Sequence, residues 1–182
     1  MHYDTLEGNV EAVKNVSFNV NSGESFGLVG ESGCGKTSVA MTLLQLQPEN
    51  SIITEGSIKL DGKELVGLSE NDLRKVRWDS ISIVFQGAMN AWNPVIKIGE
   101  QIREAMREHY PQNSKQENIN KINELFTMVG LDESTSERFP HELSGGMKQR
   151  AVIALALSCD PKIIIADEPT TALDVVIQDQ IL

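Results

Sequence analysis

The chain has 182 residues, which suits one domain with room for an inserted subdomain. Hydrophobic residues make up 40% of it, so a core can be buried, and the net charge is −10. Because nucleic-acid binding is driven by clustered Lys and Arg, this acidic balance argues against nucleic acid as a partner. The cysteines, Cys34 and Cys159, form no disulfide framework and suit a reducing compartment.

The sequence carries no sign of a membrane-spanning or secretory segment. No apolar run approaches the roughly 18–20 residues that a transmembrane helix needs. The polar start of the chain lacks the apolar stretch of a signal peptide. A soluble intracellular protein is therefore expected, or one that another chain holds at a membrane.

The first elements along the chain are predicted to be two strands and a helix. Residues 10–20 carry β-branched side chains at alternating positions and predict a strand. Residues 22–30 predict a turn that leads into a short apolar strand. Residues 35–47 favour a helix that ends before Pro48.

A hairpin and another strand precede a long helical segment. Residues 55–65 predict a β-hairpin with Asp61-Gly62 as its turn. Residues 80–86 predict a compact strand. From there to about residue 149 the apolar residues recur at helical spacing, so the chain changes from mixed structure to an all-helical segment.

The helical segment contains recognisable helix starts and stops. Ser114 and Glu117 have the spacing of a capping box. Gly130 is predicted to end the helix that they begin. A third helix is predicted from Ser144 to Cys159. The apolar faces of the first two helices consist of Ile98, Ile102, Ala105 and Met106, and of Ile119, Ile122, Phe126 and Val129.

An apolar strand at residues 162–167 follows the third helix. Its continuous apolar run is typical of a strand that is buried on both faces of a parallel sheet. Strands and helices thus alternate at both ends of the chain. This predicts an α/β core at residues 1–86 and 150–182, with an inserted helical subdomain at residues 87–149. The alternative is a plain α/β domain with a long helical excursion.

A phosphate-binding loop is predicted at residues 30–37, where GESGCGKT matches the pattern G-x-x-x-x-G-K-[ST] between an apolar run and a helix start. Glycines let successive backbone N–H groups point at one phosphate, and the helix N-terminus adds a favourable dipole. Lys36 is predicted to contact the β- and γ-phosphates, and the Thr37 hydroxyl to ligate Mg²⁺. The predicted binding residues are Gly30, Glu31, Ser32, Gly33, Cys34, Gly35, Lys36, Thr37 and Ser38.

Cys34 lies inside this loop. Its small side chain either points away from the phosphates or presents an accessible thiol. In the second case alkylation of Cys34 should block ATP binding, and bound ATP should protect the thiol.

Polar residues also stand where two predicted strands end. Asp167 and Glu168 end the strand at residues 162–167, and ligands bind at the carboxyl edge of a parallel sheet. Asp167 is predicted to hold Mg²⁺ through water and Glu168 to polarise the attacking water; the alternative is a pair of carboxylates that cap a turn. Gln86 ends the strand at residues 80–86, where its amide either contacts Mg²⁺ and the water or is an ordinary polar strand end.

A second glycine-rich stretch, LSGGMKQ, occupies residues 143–149. Ser144 offers a hydroxyl, and Gly145 and Gly146 let backbone N–H groups approach a phosphate closely. The helix that follows supplies its N-terminal dipole. Taken alone, the stretch would be a helix N-cap followed by a flexible turn; beside a phosphate-binding loop, a second phosphate contact is favoured.

In chain order, GESGCGKT, Gln86, LSGGMKQ, IIIADE and TTALD resemble the motifs of the nucleotide-binding subunits of ABC transporters. LSGGMKQ is the most specific of these, because most phosphate-loop proteins lack it. The resemblance implies an α/β fold: a P-loop NTPase (RecA-like) core with an N-terminal antiparallel β subdomain and an inserted helical subdomain. It also implies that the chain uses ATP and Mg²⁺ and hydrolyses ATP to drive solute transport.

The resemblance further implies roles for single residues. In that family two domains pack head to tail, so the Ser-Gly-Gly of LSGGMKQ would meet the nucleotide held by the other domain. Glu168 would be the general base, acting with Lys36 and Gln86. Asp174 would couple the two sites. Tyr3 would stack on adenine; the alternative is a disordered terminal tyrosine.

Partners and location are implied in the same way. They are a second ABC ATPase subunit, identical or a sister chain, and two membrane permease subunits. An extracytoplasmic solute-binding protein would act indirectly. The chain would then lie at the cytoplasmic face of the cell membrane.

Residues 3–18 and 85–102 resemble the corresponding segments of oligopeptide and dipeptide importers. A peptide is therefore the implied substrate, although nickel importers share much of this pattern. Trp92 and Asn93-Pro94 would form a rigid apolar tip that faces the permease.

The sequence departs from the family in one respect. The family's γ-phosphate histidine follows the Asp-Glu pair, whereas His2, His109 and His141 all precede Asp167, and the chain ends at Leu182. A fragment or truncated product that binds ATP and hydrolyses it weakly is therefore expected. The alternatives are a nucleotide-binding module without catalysis, and a non-transport ABC ATPase of DNA repair or the ribosome, which the acidic charge disfavours.

Overall fold

A computed structural model describes residues 1–87 and 90–169 of the chain. By its internal contacts the chain divides into two compact units, Met1–Leu73 and Arg74–Leu182. The predicted coupling residue Asp174 lies outside the described residues.

The first unit begins with a small antiparallel sheet. In it, β1 (His2–Thr5) lies between β2 (Gly8–Glu11) and β3 (Ser51–Ile52), and both pairings are antiparallel. An N-terminal antiparallel sheet is what the sequence resemblance implied.

The predicted hairpin is present. Its strands are β4 (Lys59–Leu60) and β5 (Lys63–Glu64), which pair antiparallel. The turn residues Asp61 and Gly62 have φ angles of 49° and 79°. Positive φ at both central residues is the requirement of the type I′ turn, which explains why Asp-Gly predicted it correctly.

The predicted strands at residues 10–20 and 22–30 are wrong for most of their length. β2 ends at Glu11, and the described backbone that follows forms no strand before the first helix. The rings of Phe18 and Phe26 nevertheless stack, with centroids 4.9 Å apart and planes 9° apart. A strand is stable only where other strands pair with it, so the β-branched side-chain pattern alone did not suffice.

The first helix, α1 (Lys36–Leu43), is shorter than the predicted range of 35–47. It ends early because Gln45 adopts a φ of 50°, which no α-helix can accommodate, three residues before Pro48. A second helix, α2 (Glu70–Val76), follows the hairpin and was not predicted.

The second unit contains a parallel strand pair. β6 (Ile81–Val84) lies beside β7 (Ile163–Ala166) in register, as the predicted α/β core requires. The expectation that the second strand is buried on both faces is wrong, because Ile164 is 44% exposed. An apolar run predicts a strand, but which of its faces is covered depends on the neighbouring elements.

Helices follow β6, as predicted. They are α3 (Ile98–His109), α4 (Lys115–Met128) and α5 (Gly145–Leu157), with 3₁₀ turns at Glu133–Glu137 and Pro140–Glu142. Across the described ranges, every helix is too short or too polar to cross a bilayer. The core of this unit is built around Val84, Ile98, Ile102, Met106, Ile122, Leu125, Phe126, Val152 and Ala154.

Caps define where these helices begin and end. The Ser114 hydroxyl accepts a hydrogen bond from the Glu117 N–H at 3.2 Å, and the Glu117 carboxylate accepts one from the Ser114 N–H at 2.7 Å. Hydrogen bonding of the Glu117 carboxylate to the Ser114 side chain and to the Ser114 backbone N–H holds the pKa of Glu117 below its usual value. Gly130 follows α4 with a φ of 69°. Both the predicted capping box and the predicted glycine stop are therefore confirmed.

The predicted apolar tip at Trp92 is wrong. Trp92 is only 7% exposed and belongs to the core of the second unit. Its indole N–H donates to the carbonyl of Lys148 at 3.4 Å, so the loop after β6 is tied to α5. A large ring gains more from burial than from exposure to water, while Pro94 and Val95 remain exposed.

Trp92→Ala is accordingly expected to lower the free energy of unfolding by about 3–5 kcal/mol, because it leaves a ring-sized cavity in the core. Urea denaturation followed by circular dichroism measures this loss. Val95→Ala is the matched control, since Val95 is 77% exposed in the same loop, and should change stability by less than about 0.5 kcal/mol. Equal stability of the two variants would mean that the indole is not packed.

Candidate functional site

The predicted phosphate-binding loop at residues 30–37 requires two of its glycines for its backbone conformation. Gly33 and Gly35 have φ angles of 79° and 96°, in the left-handed region. A β-carbon on Gly35 would also lie 2.5 Å from the carbonyl oxygen of Ala12. Only glycine therefore allows the chain to turn here into α1, which begins at Lys36.

The Lys36 ammonium lies over its own loop. It donates to the carbonyl oxygens of Gly30 and Glu31, both at 2.8 Å. Phosphate oxygens are alternative acceptors for the same three N–H donors, and they carry more negative charge than a carbonyl. The ammonium thus stands beside the backbone that the sequence predicts to cradle a phosphate.

Tyr3 contacts the first turn of α1. Its hydroxyl lies 3.0 Å from the hydroxyl of Ser38, and either can donate. The alternative of a disordered terminal tyrosine is therefore wrong, because Tyr3 belongs to β1 and has a fixed neighbour. The stacking of its ring on adenine stays a prediction.

The thiol of Cys34 is exposed and makes no disulfide. It lies 3.8 Å from the Lys36 ammonium, beside the predicted phosphate site. We expect N-ethylmaleimide to alkylate Cys34 and to abolish ATP binding. With ATP at ten times its Kd, labelling should slow about tenfold, because roughly one-tenth of the chain stays free.

Cys159 is an internal control for this experiment. It is fully buried, and that burial raises the pKa of its thiol, so little reactive thiolate forms. Mass spectrometry of the folded chain should find the label on Cys34 alone. Labelled Cys34 with unchanged ATP binding would show that the thiol points away from the nucleotide.

The carboxyl ends of β6 and β7 bring three predicted site residues together. The side-chain amide of Gln86 donates to a carboxylate oxygen of Glu168 at 2.7 Å. The backbone N–H of Asp167 donates to the carbonyl of Val84 at 2.9 Å, which aligns the two strand ends. The amide of Gln86 thus contacts the predicted base, while its contact with Mg²⁺ and water stays a prediction.

Glu168 has an unusual backbone conformation. Its φ is 49°, in the left-handed region that residues with a β-carbon seldom occupy. Such a conformation costs on the order of 1–3 kcal/mol and persists where surrounding contacts hold it. The side chain is exposed, so a water molecule can reach the carboxylate.

The predicted magnesium ligands fit the chemistry of that ion. Thr37, Gln86 and Asp167 can offer hydroxyl, amide and carboxylate oxygens, which are the donors that a hard divalent cation prefers. Their joint role in one site remains a prediction.

The start of α5 presents the second glycine-rich stretch. The Ser144 hydroxyl accepts from the Met147 N–H at 3.3 Å and so caps the helix. Ser144 and Gly145 are exposed, and Gly145 and Gly146 belong to the first helical turn rather than to a flexible turn. The first N–H groups of a helix have no intrahelical partner, so this end can accept an anion.

One residue of this stretch has a contact that the sequence did not predict. Gln149 is only 3% exposed, and its amide donates to the carbonyl of Pro169 at 2.7 Å. The sequence contained a signal for it, because Gln149 lies three and seven residues before Val152 and Ala156, which are buried. A polar residue on the apolar face of a helix needs a buried partner.

Known proteins match this chain over most of its length. The family model described as ABC transporter matches residues 13–171. The chain is 43% identical to the dipeptide transport ATP-binding protein DppD of Lactococcus lactis, over 100% of this chain and 53% of that protein. It is 47% identical to the oligopeptide transport ATP-binding protein AppD of Bacillus subtilis, over 95% of this chain and 53% of that protein. The chain thus spans about half the length of the curated relatives that it matches.

Solved structures share the fold. Two dimeric structures of the bacterial ABC transporter cassette MJ0796, one of them in a post-hydrolysis state bound to ADP and Pi, superpose with a TM-score of 0.87. Identity is 33%, and the match covers 99% of this chain and 75% of the cassette. The fold is therefore that of a P-loop NTPase, and the chain belongs to the ABC transporter family.

Proposed function

We propose that this chain is the ATP-binding and ATP-hydrolysing subunit of an ABC importer for dipeptides or oligopeptides. The observation that carries the proposal is the 2.7 Å contact of Gln86 with Glu168 at the carboxyl ends of two parallel strands, in a chain that also has a complete phosphate-binding loop. The peptide substrate rests on the 43–47% identity to peptide transport ATP-binding proteins.

The reaction is the hydrolysis of ATP by water to ADP and phosphate. The backbone N–H groups of residues 30–37 and the Lys36 ammonium bind the β- and γ-phosphates and offset their negative charge. Glu168 accepts a proton from the attacking water as the water oxygen bonds to the γ-phosphorus. The bond between the γ-phosphorus and the β–γ bridging oxygen breaks, and that oxygen leaves as part of ADP. The side-chain amide of Gln86 donates a hydrogen bond to the Glu168 carboxylate and so orients it to accept this proton.

Magnesium would be held by Thr37, Gln86 and Asp167 and would neutralise charge on the phosphates. The residues named above bind the nucleotide, orient the base and move the proton.

The proposed assembly is a head-to-tail dimer with a second ABC ATPase subunit, identical or a sister chain. Ser144, Gly145 and Gly146 of one subunit would cover the nucleotide that the other subunit binds. The exposure of the α5 N-terminus supports this, because such a helix end can receive a phosphate from another molecule. Two permease subunits would anchor the dimer at the cytoplasmic face of the membrane, and a solute-binding protein would deliver the peptide.

The permease-facing surface is proposed to be the exposed part of the loop after β6. Trp92 anchors this loop inside the second unit, so Pro94 and Val95 take the place of the indole as the apolar contact. Val95 is 77% exposed in this structure of a single chain. A permease subunit that packed on the loop would cover this side chain.

Uptake of a labelled dipeptide tests the proposal in cells that carry this chain as their only copy of the subunit. Wild-type cells should accumulate the peptide, and Lys36→Ala should abolish both uptake and ATP hydrolysis, because the main charge on the phosphates is lost. Lys63→Ala, at an exposed position of the hairpin, is the matched control and should behave as wild type.

Uptake of nickel is measured in parallel, since nickel importers share part of the sequence pattern. Loss of nickel uptake with normal peptide uptake in Lys36→Ala would reassign the substrate. Normal uptake of both solutes, in cells whose only copy carries Lys36→Ala, would contradict a transport function.

A further inference from the structure

The buried amide of Gln149 is the polar contact that the proposed function leaves unexplained. It lies in the second turn of α5, on the face that carries the buried side chains of Val152 and Ala156. An amide in such surroundings is costly unless it is hydrogen-bonded, and a leucine or methionine would fill the same space at no such cost. What the amide gains is the bond to the carbonyl of Pro169 at 2.7 Å.

Pro169 directly follows Glu168, whose φ is 49°. The strained residue is held from both sides along the backbone. Before it, the Asp167 N–H is bonded to Val84 at 2.9 Å, and after it, the Pro169 carbonyl is bonded to Gln149. Since the left-handed conformation does not persist by local preference, these ties decide where the carboxylate of Glu168 points.

We infer that Gln149 is a positioning residue for Glu168. Its amide fixes Pro169, the residue after the base, and thereby keeps the carboxylate where Gln86 contacts it, without touching the nucleotide itself. The inference rests on the proposed function, because it assumes that Glu168 is the base for ATP hydrolysis. It adds a residue of α5 to the set that determines turnover.

The position of Gln149 on α5 has a mechanical consequence. The exposed Ser144 and Gly145 stand at the beginning of the helix, and Gln149 stands one turn further. The carbonyl of Lys148, next to Gln149, accepts the indole N–H of Trp92 at 3.4 Å. The first two turns of α5 are thus bonded both to the loop after β6 and to Pro169, the residue after Glu168.

Gln149→Met in the full chain tests the inference, because methionine has nearly the same volume and cannot donate to Pro169. Its kcat for ATP hydrolysis is expected to fall by about 10- to 100-fold, as for other small displacements of a catalytic group. The KM for ATP and the thermal unfolding midpoint should stay near the wild-type values. Gln116→Met is the matched control, since Gln116 makes its bond to Asn120 on the exposed side of α4 and should leave kcat unchanged.

A kcat of Gln149→Met equal to that of Gln116→Met would overturn the inference while leaving the proposed function intact. Absence of hydrolysis in the wild-type chain and in its assembled complex would overturn the proposed function, and the inference with it.

Gln149→Leu is also neutral and unable to donate to Pro169, and it is measured alongside in case the methionine variant is unstable. Both variants are assayed at several temperatures below their unfolding midpoints. A loss of kcat that persists where each variant is fully folded supports positioning. A loss that follows the unfolded fraction would mean that Gln149 only stabilises the fold, and would overturn the inference.

Discussion

Replacing Glu168 with glutamine is expected to lower ATP turnover by about 100- to 10,000-fold and to leave ATP binding intact. The amide has the size of the carboxylate, and its oxygen can still accept the hydrogen bond that Gln86 donates at 2.7 Å. It cannot take a proton from water, so the base alone is removed. Uncleaved ATP should then hold two chains together in the proposed head-to-tail dimer.

Phosphate release measures the turnover of this variant, and light scattering measures its mass with ATP and Mg²⁺ or with ADP. Glu108→Gln makes the same change at an exposed position of α3 and should leave turnover unaltered. Turnover of Glu168→Gln at the wild-type rate would contradict the assignment of the base. Lost turnover with an ATP-bound monomer would contradict pairing of identical chains and point to a sister subunit.

Gly145→Asp, introduced into the Glu168→Gln chain, is expected to abolish the ATP-dependent dimer. The new carboxylate would stand at the exposed start of α5, where the phosphate of the other subunit is proposed to approach. Repulsion between like charges at an interface costs several kcal/mol, which corresponds to a dimer affinity at least about 100-fold weaker. Binding of ATP to the phosphate-binding loop of the same chain should not change.

The effect of Gly145→Asp on the dimer can be distinguished from an effect on folding. A negative charge at a helix N-terminus is favourable to the helix itself, so α5 should be as stable as before. Gln116→Asp places the same charge in the first turn of α4 and is the matched control for net charge. Equilibrium binding of fluorescent ATP and light scattering give the two readouts. A dimer of undiminished affinity would contradict contact between Gly145 and the partner's nucleotide.

Structure that depends on a few adjacent residues was predicted well from the sequence. The Asp61-Gly62 turn and the glycine stop at Gly130 follow from positive φ angles that glycine and aspartate accept, and both are observed. The capping box of Ser114 and Glu117 needs only a spacing of three residues.

Predictions that required knowledge of distant neighbours were less successful. The strand at residues 10–20 ends at Glu11, because a β-branched pattern does not by itself provide strands to pair with. Trp92 was expected at the surface but lies in the core. The prediction failed because the sequence around Trp92 does not reveal which distant residues pack over its indole. For Trp92 the deciding partner, Lys148, is 56 residues away along the chain.

Residue identity at fixed short spacing was enough to indicate the family, to predict a phosphate-binding loop at residues 30–37 and to locate the capping box and the glycine stop of α4. Only the tertiary structure decided which side chains hold the candidate base. Gln86 and Glu168 are 82 residues apart, and Gln149 and Pro169 are 20 apart. These contacts exist because β6 pairs with β7 and because α5 packs into the core of the second unit, and a pattern of neighbouring residues does not encode such pairings locally.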